Sequence, residues 1–273
     1  MINIYLLLLL VLLPLAGGLL RWLRLRLAEQ PVSLRGEWRA AFAWLRASFS
    51  AAEVLGGLLG WFGAAFACAS LLQGDLLTAA LALEAAPLGI VLVALLAGDP
   101  WAQVGGARRL QLYAIASLGY FAALAALLQG GLRWEQAVGW DSRPLATLVR
   151  GLAAVLLLLA LPGRLAAHPF AVGEDAERLA GRRAEATPAV LALLSWEAAL
   201  PLFTATLMLP PLLGGVPVQV AAVVGLAGLL TVAVGFVSRR SSVQARPATA
   251  AAFYLRYNLS LAALLFVATL VSR

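Results

Sequence analysis

Apolar positions in this chain come in unbroken blocks, separated by short stretches that hold most of the charge. The blocks span residues 2–20, 51–72, 76–97, 110–129, 144–161, 188–209, 216–237 and 251–271. Each is close to the ~20 residues that an α-helix needs to cross ~30 Å of hydrocarbon. The pattern predicts an all-α integral membrane protein: a bundle of about eight transmembrane helices forming a single transmembrane domain over residues 1–273. The stretch after the first block has a different rhythm. Trp38, Ala41, Phe42 and Leu45 recur at helical spacing with Arg35, Arg39 and Arg46 between them, which predicts an amphipathic helix lying in the membrane interface.

Composition agrees with the pattern. The chain is 63% apolar and 12% charged, against roughly half and a quarter in soluble domains. A water-soluble fold of this composition would expose large apolar patches. All of its 20 basic residues are arginines, and the net charge is +7. These arginines lie between apolar blocks and not along one soluble face, so they do not mark a nucleic-acid site. Assigning the connecting segments alternately to two sides gives a strong asymmetry. Segments 21–50, 98–109, 162–187 and 239–250 collect the arginines, while the opposite side holds little more than Arg133, Arg143 and Arg273. The expectation is a multi-pass protein of the cytoplasmic (inner) membrane with Arg-rich loops in the cytoplasm and both termini in the periplasm. The first block lacks a basic segment before it and is followed by Arg21, Arg24 and Arg26, which reads as a retained first helix and not a cleaved signal.

Several chemistries lack the residues they need. With one cysteine, Cys68, and one histidine, His168, the chain cannot form an internal disulfide, hold an iron–sulfur cluster on cysteines, or ligate haem through two histidines. No phosphate-binding glycine loop occurs, and no catalytic triad or hydrolytic carboxylate pair stands in the loops. The polar features that remain are within the membrane and at its edge. Glu53, Glu84 and Glu197 fall inside apolar blocks, with Arg150 and Arg256 near block ends. An intramembrane charge costs at least ~2.5 kcal/mol on insertion scales, so it needs a partner or a wet path. Glu53 and Arg256 fit snorkelling to the interface; Glu84 and Glu197 lie deeper and predict a buried polar site. The segment from His168 to Glu185 carries Glu174, Asp175, Glu177, Arg178, Arg182 and Arg183. Composition alone reads it as a solvated, salt-bridged helix. Gly98 to Arg109 predicts a glycine-permitted tight re-entry, and Gly56-x-x-x-Gly60 predicts close helix packing.

Taken in order, four stretches give the chain a resemblance. They are Pro14-Leu-Ala-Gly-Gly-Leu-Leu-Arg-Trp-Leu-Arg-Leu-Arg-Leu with Gln30-Pro and Trp38–Arg46; Gly74-Asp-Leu-Leu through Gly98-Asp-Pro-Trp-Ala-Gln-Val-Gly-Gly-Ala-Arg-Arg; Pro169-Phe170 with Glu174 to Glu177, Leu179-Ala-Gly181 and Glu185; and Ala192-Leu-Leu-Ser-Trp-Glu-Ala-Ala-Leu. Together they resemble the subunit 1 family of respiratory complex I (NuoH) and the corresponding membrane subunits of group 4 hydrogenases (HycD, HyfC). The resemblance implies a bacterial, non-catalytic membrane-anchor and coupling subunit of a redox-driven, ion-translocating complex. It implies no cofactor in this chain, iron–sulfur clusters in soluble partner subunits on the cytoplasmic face, antiporter-like membrane partners, and a quinone cavity at the junction if the chain follows complex I. Matched by motif, Glu185 is the loop's terminal glutamate, and Glu174, Asp175 and Glu177 are its acidic cluster. Glu197 stands two residues after the hydrogenase glutamate position, which is Ser195 here, and Glu84 has no counterpart. Arg35, Arg39, Arg108, Arg109, Arg182 and Arg183 are the expected docking face.

Departures from the pattern are specific. The family's acid after Pro-Phe is Ala171, the acid of the span following the Gly-Gly-Ala-Arg turn is replaced by Ser117 or Leu118, the glutamate before the Pro-Phe loop is Arg164, and a lysine of the sixth span is Pro201. They argue against quinone chemistry and favour the hydrogenase-like branch. Two further readings compete: a stand-alone secondary transporter with helices broken at Pro87 or Pro201, against which the lack of an internal repeat counts, and a purely structural anchor.

Overall fold

A computed structural model of the chain describes residues 2–30, 32–43, 51–96, 100–130, 144–165, 167, 189–209, 215–240 and 247–271. In these residues it is built of helices: α1 (Ile2–Leu27), α2 (Leu34–Ala43), α3 (Ala51–Leu72), α4 (Leu76–Leu83), α5 (Ala85–Leu96), α6 (Pro100–Leu127), α7 (Pro144–Arg164), α8 (Ala189–Met208), α9 (Gly215–Arg240) and α10 (Pro247–Val271). With α4 and α5 counted as one span, eight of the described helices are long and apolar enough to cross a membrane. The expected bundle is therefore the observed architecture.

Helix ends differ from the sequence expectation in one consistent way. α1 runs on through Arg21, Arg24 and Arg26, α7 through Arg164, and α9 through Arg240. The segment expected to re-enter at Gly98 to Arg109 is already α6 from Pro100 onward. Gly105 and Gly106 are buried within the helix, where a Cβ on Gly106 would stand 2.8 Å from Cβ of Ala94 on α5. These glycines let two helices approach; they do not make a turn. The apolar blocks understate helix length because arginines are good helix formers and continue the helices past the hydrocarbon.

α8 is the axis of the bundle. It packs against α1, α3, α5 and α9, and the stretch from Leu191 to Pro201 is buried without interruption. α6, α7 and α10 form a second group that closes on it from the other side. Small residues set the closest approaches. A Cβ on Gly17 of α1 would fall 1.6 Å from the Leu194 carbonyl of α8, and one on Gly89 of α5 would fall 2.2 Å from the Gly56 carbonyl of α3. The Gly56/Gly60 pair thus packs helices as its spacing predicts.

Prolines inside spans are tolerated because their orphaned carbonyls find other donors. Pro14 cannot donate to the Leu10 carbonyl. Trp61 of α3 donates its Nε1–H to that oxygen at 2.9 Å, and α1 stays unbroken. The α4–α5 span does break, at Glu84, three residues before Pro87. Its N-terminus is capped by Asp75, which accepts from the Thr78 amide at 3.0 Å and from the Thr78 hydroxyl at 2.6 Å. Among the described residues α8 continues through Pro201.

α2 folds back along the end of α1. Trp38 donates to the Leu15 carbonyl at 3.1 Å and covers Gly18, while Glu37 stands 3.7 Å from Arg21. The chain reverses through Glu29, whose φ of 63° closes the helix end as Gln30 donates to the Leu25 carbonyl. Glu29 also pairs with Arg239 at 2.7 Å, which places the ends of α1 and α9 at the same side of the bundle.

Candidate functional site

The two deep glutamates expected to form a buried polar site both do so, each with an arginine of another helix. Glu197, in the middle of α8 and 2% exposed, accepts from Arg24 NH2 of α1 at 2.5 Å. Glu84, at the break between α4 and α5, accepts from Arg164 NH2 at the end of α7, also at 2.5 Å. A lone charge at either position would carry a penalty of several kcal/mol, so the pairing is what allows these residues inside the bundle.

The two pairs lie side by side. Trp196 donates its Nε1–H to the Arg164 backbone carbonyl at 3.3 Å, and Glu197 is the next residue. Successive residues on a helix differ by about 100° in direction and about 1.5 Å in height. α8 therefore presents Trp196 to one pair and Glu197 to the other at nearly one level. That level lies close beneath the Arg-rich end of the bundle. Tyr113, which belongs to the Arg164 pair, is four residues, or about 6 Å, along α6 from Arg109, and Arg24 is three residues from the end of α1.

Their surroundings differ. Arg164 is fully buried in a box of rings, its guanidinium carbon 3.9 Å from the Tyr120 centroid, 5.0 Å from Tyr113, 5.3 Å from Trp196 and 5.7 Å from Phe121. Its NH1 donates to Ser117 Oγ at 3.1 Å and its NH2 to the Tyr113 hydroxyl at 2.9 Å. The Tyr113 hydroxyl in turn donates to the second oxygen of Glu84. Both carboxylate oxygens of Glu84 are thereby occupied, and the rings add cation–π attraction in a site without bulk water. At Glu197 only Oε1 is bonded, and Oε2 has no hydrogen-bond partner among the described residues; Nε is unbonded among them in Arg24 and Arg164 alike. Ser195 Oγ, at the position of the hydrogenase glutamate, is likewise buried and unbonded among them.

Sequence reasoning found the two glutamates and missed how they are held. It treated Arg164 and Ser117 as departures from a family pattern and Glu84 as a residue without a counterpart. The structure brings all three into one cage. Of the two neighbouring residues, Ser117 faces Arg164 and Leu118 points outward. Arg24 was read only as part of a positive flank. Of the expected docking arginines, Arg35, Arg39 and Arg108 are exposed and Arg109 is half-buried. Glu174, Asp175, Glu177, Glu185, Arg182 and Arg183 lie outside the described residues, as does the side chain of Glu53. No group of three or more His, Cys, Asp or Glu side chains that could hold a metal occurs among the described residues. The box around Arg164 is cationic at its centre, so it is unsuited to a metal ion.

Fold and site together define a multi-pass membrane protein with paired charges enclosed beneath its Arg-rich end. No family model matches the sequence, and no curated protein matches it. Among solved structures, the chain is similar to a chain in the structure of the membrane-bound sulfane sulfur reductase (MBS), an archaeal respiratory membrane complex. The TM-score is 0.73 at 18% identity, over 98% of this chain and 99% of that chain. At that identity the likeness establishes the fold alone: the two chains share the same helical bundle from end to end.

Proposed function

We propose that this chain is a membrane-anchor and coupling subunit of a complex I-like or group 4 hydrogenase-like assembly, a divergent relative of the NuoH and HycD type. It docks soluble redox subunits on its Arg-rich cytoplasmic face and passes a protonic or conformational change into the membrane arm. The observation that carries the reading is the end-to-end fold match to a chain of a respiratory membrane complex. The two ion pairs support it, because each joins an arginine near the Arg-rich end of its helix to a glutamate deeper in the bundle.

On this reading the two glutamates have different parts, and their hydrogen bonding supports the division. Glu84 is held by Arg164 and by Tyr113. Both oxygens of its carboxylate are bonded, which leaves no open acceptor for a further partner. It serves instead as a latch joining the α4–α5 break to α6 and α7. Glu197 Oε2 has no partner among the described residues, so it can accept a further hydrogen bond without breaking the one to Arg24. It is the better relay residue, with the 174–177 cluster and Glu185 as the proposed entry from the cytoplasmic side. Quinone fits this site poorly. Where the complex I pattern has acids, this chain places Ser117 and Arg164, and Arg164 fills the space between α6, α7 and α8 with its ring box. The iron–sulfur clusters, antiporter-like subunits and inner-membrane topology with periplasmic termini belong to the same proposal.

Purification of the tagged full-length chain from its native membrane tests it. Recovery with soluble iron–sulfur proteins and antiporter-like membrane proteins is the expected result. Recovery of the chain alone would contradict the proposal.

A further inference from the structure

The span of α4 and α5 is interrupted near its middle, and the residue at the interruption is charged. Glu84 closes α4, and α5 starts at Ala85, within the 21-residue span Leu76–Leu96. Pro87 has no N–H, so the Leu83 carbonyl loses its helical donor. Two bonds across this stretch are long. The Glu84 amide donates to the Leu81 carbonyl at 3.2 Å, and the Leu88 amide donates to the Glu84 carbonyl at 3.3 Å, where about 2.9–3.0 Å is usual. Pro14 and Pro201 also remove a helical donor, yet α1 and α8 run on through them. A proline alone therefore does not account for the break. What sets this one apart is that the residue at the break is held by two other helices, through Arg164 of α7 and Tyr113 of α6.

The two halves of the span are anchored differently. α4 is capped by Asp75, and it sets Leu76 and Leu83 fully buried in the main core. α5 meets its neighbours largely through backbone and methyl groups. A Cβ on Gly89 would stand 2.2 Å from the Gly56 carbonyl of α3, one on Gly60 would stand 3.1 Å from Cα of Ala86, and Gly106 of α6 lies against Ala94. Ile90, the largest buried side chain of α5, belongs to a small separate cluster with Ala192 and Leu193 of α8. Interlocked leucines fix a helix in register. Flat contacts of glycine and alanine lack that interlock and admit the small shear movements of packed helices.

We infer that α5 is a hinged half-span. It pivots over Glu84 to Pro87 against a fixed α4, and the bonds from Arg164 and Tyr113 to Glu84 are the catch that holds it. With Glu84 released, α5 shifts along its glycine contacts while α4 stays in the core. On the function proposed above, a displacement at the Arg-rich end, where α5 gives way to α6, reaches the Glu84–Arg164 pair through this half-helix. That use rests on the subunit reading; the hinge itself rests on the break and its packing.

The test is amide hydrogen exchange of the full-length chain in lipid nanodiscs, read by mass spectrometry over residues 76–83 and 85–96. In the parent chain the α5 amides are expected to exchange about tenfold faster than those of α4. Glu84→Gln is expected to speed α5 about tenfold further, as a charge-assisted hydrogen bond is lost, and to leave α4 unchanged. Pro87→Ala restores a donor at the break and is expected to slow α5. Equal protection of the two halves in the parent, an effect of Glu84→Gln spread evenly over both, or no slowing in Pro87→Ala would overturn the hinge. If Glu84→Gln fails to fold, the parent profile and Pro87→Ala still decide. Purification of the tagged chain without partners would remove the subunit reading and leave the exchange result standing.

Discussion

The two ion pairs on either side of α8 have the same chemistry and opposite settings. Arg164 and Glu84 are bound into a cage of two hydroxyls and four rings. Arg24 and Glu197 have, among the described residues, essentially each other. Each arginine leaves its Nε unbonded among the described residues, so what differs is the carboxylate: both oxygens of Glu84 are bonded and one of Glu197 is not. A carboxylate with both oxygens bonded is a fastener, whereas one with an open oxygen keeps capacity for another hydrogen bond. On the function proposed above, that difference makes Glu84 the latch and Glu197 the relay.

Substitutions can break this comparison, and the largest effect belongs to the cage. Arg164→Leu leaves the half-buried Glu84 without its cation and removes the centre of the ring box. We expect a loss of about 3–5 kcal/mol, read as thermal unfolding in detergent, with Arg164→Lys recovering only part because an ammonium lacks the guanidinium fork. Removing both partners separates the pairs next. Arg24→Leu with Glu197→Leu should leave stability within about 1 kcal/mol of the parent, since a bare buried pair replaced by apolar groups is often neutral. Arg164→Leu with Glu84→Leu should still cost about 2 kcal/mol or more, because Tyr113 and Ser117 lose their partners. Equal costs for the two double variants would erase the distinction. The smallest effect sharpens it: Tyr120→Leu should cost about 1 kcal/mol through its cation–π contact with Arg164, measured by the same melts.

How much of this was legible in the sequence depended on range. Block length fixed the number of spans, because hydrocarbon thickness is a local constraint on consecutive residues. The interfacial rhythm around Trp38 gave α2, although its docking onto Leu15 and Gly18 was not readable. Helix ends were misjudged at residues 21–27 and 100–109, since arginine and glycine signal a membrane edge without signalling the end of a helix. Buried charges were recognisable from their cost alone. Their partners were not: Arg24 and Glu197 are 173 residues apart, and Arg164 and Glu84 are 80.

The role given to this layer is tested most directly by ion translocation per electron in the assembled complex, with assembly verified for each variant, comparing Glu197→Gln with Glu84→Gln. A relay at Glu197 predicts that Glu197→Gln lowers the ratio about tenfold or more, in line with the loss of a positioned proton carrier, while Glu84→Gln weakens stability and leaves the ratio intact. An unchanged ratio in Glu197→Gln would contradict the relay and leave both pairs as fasteners.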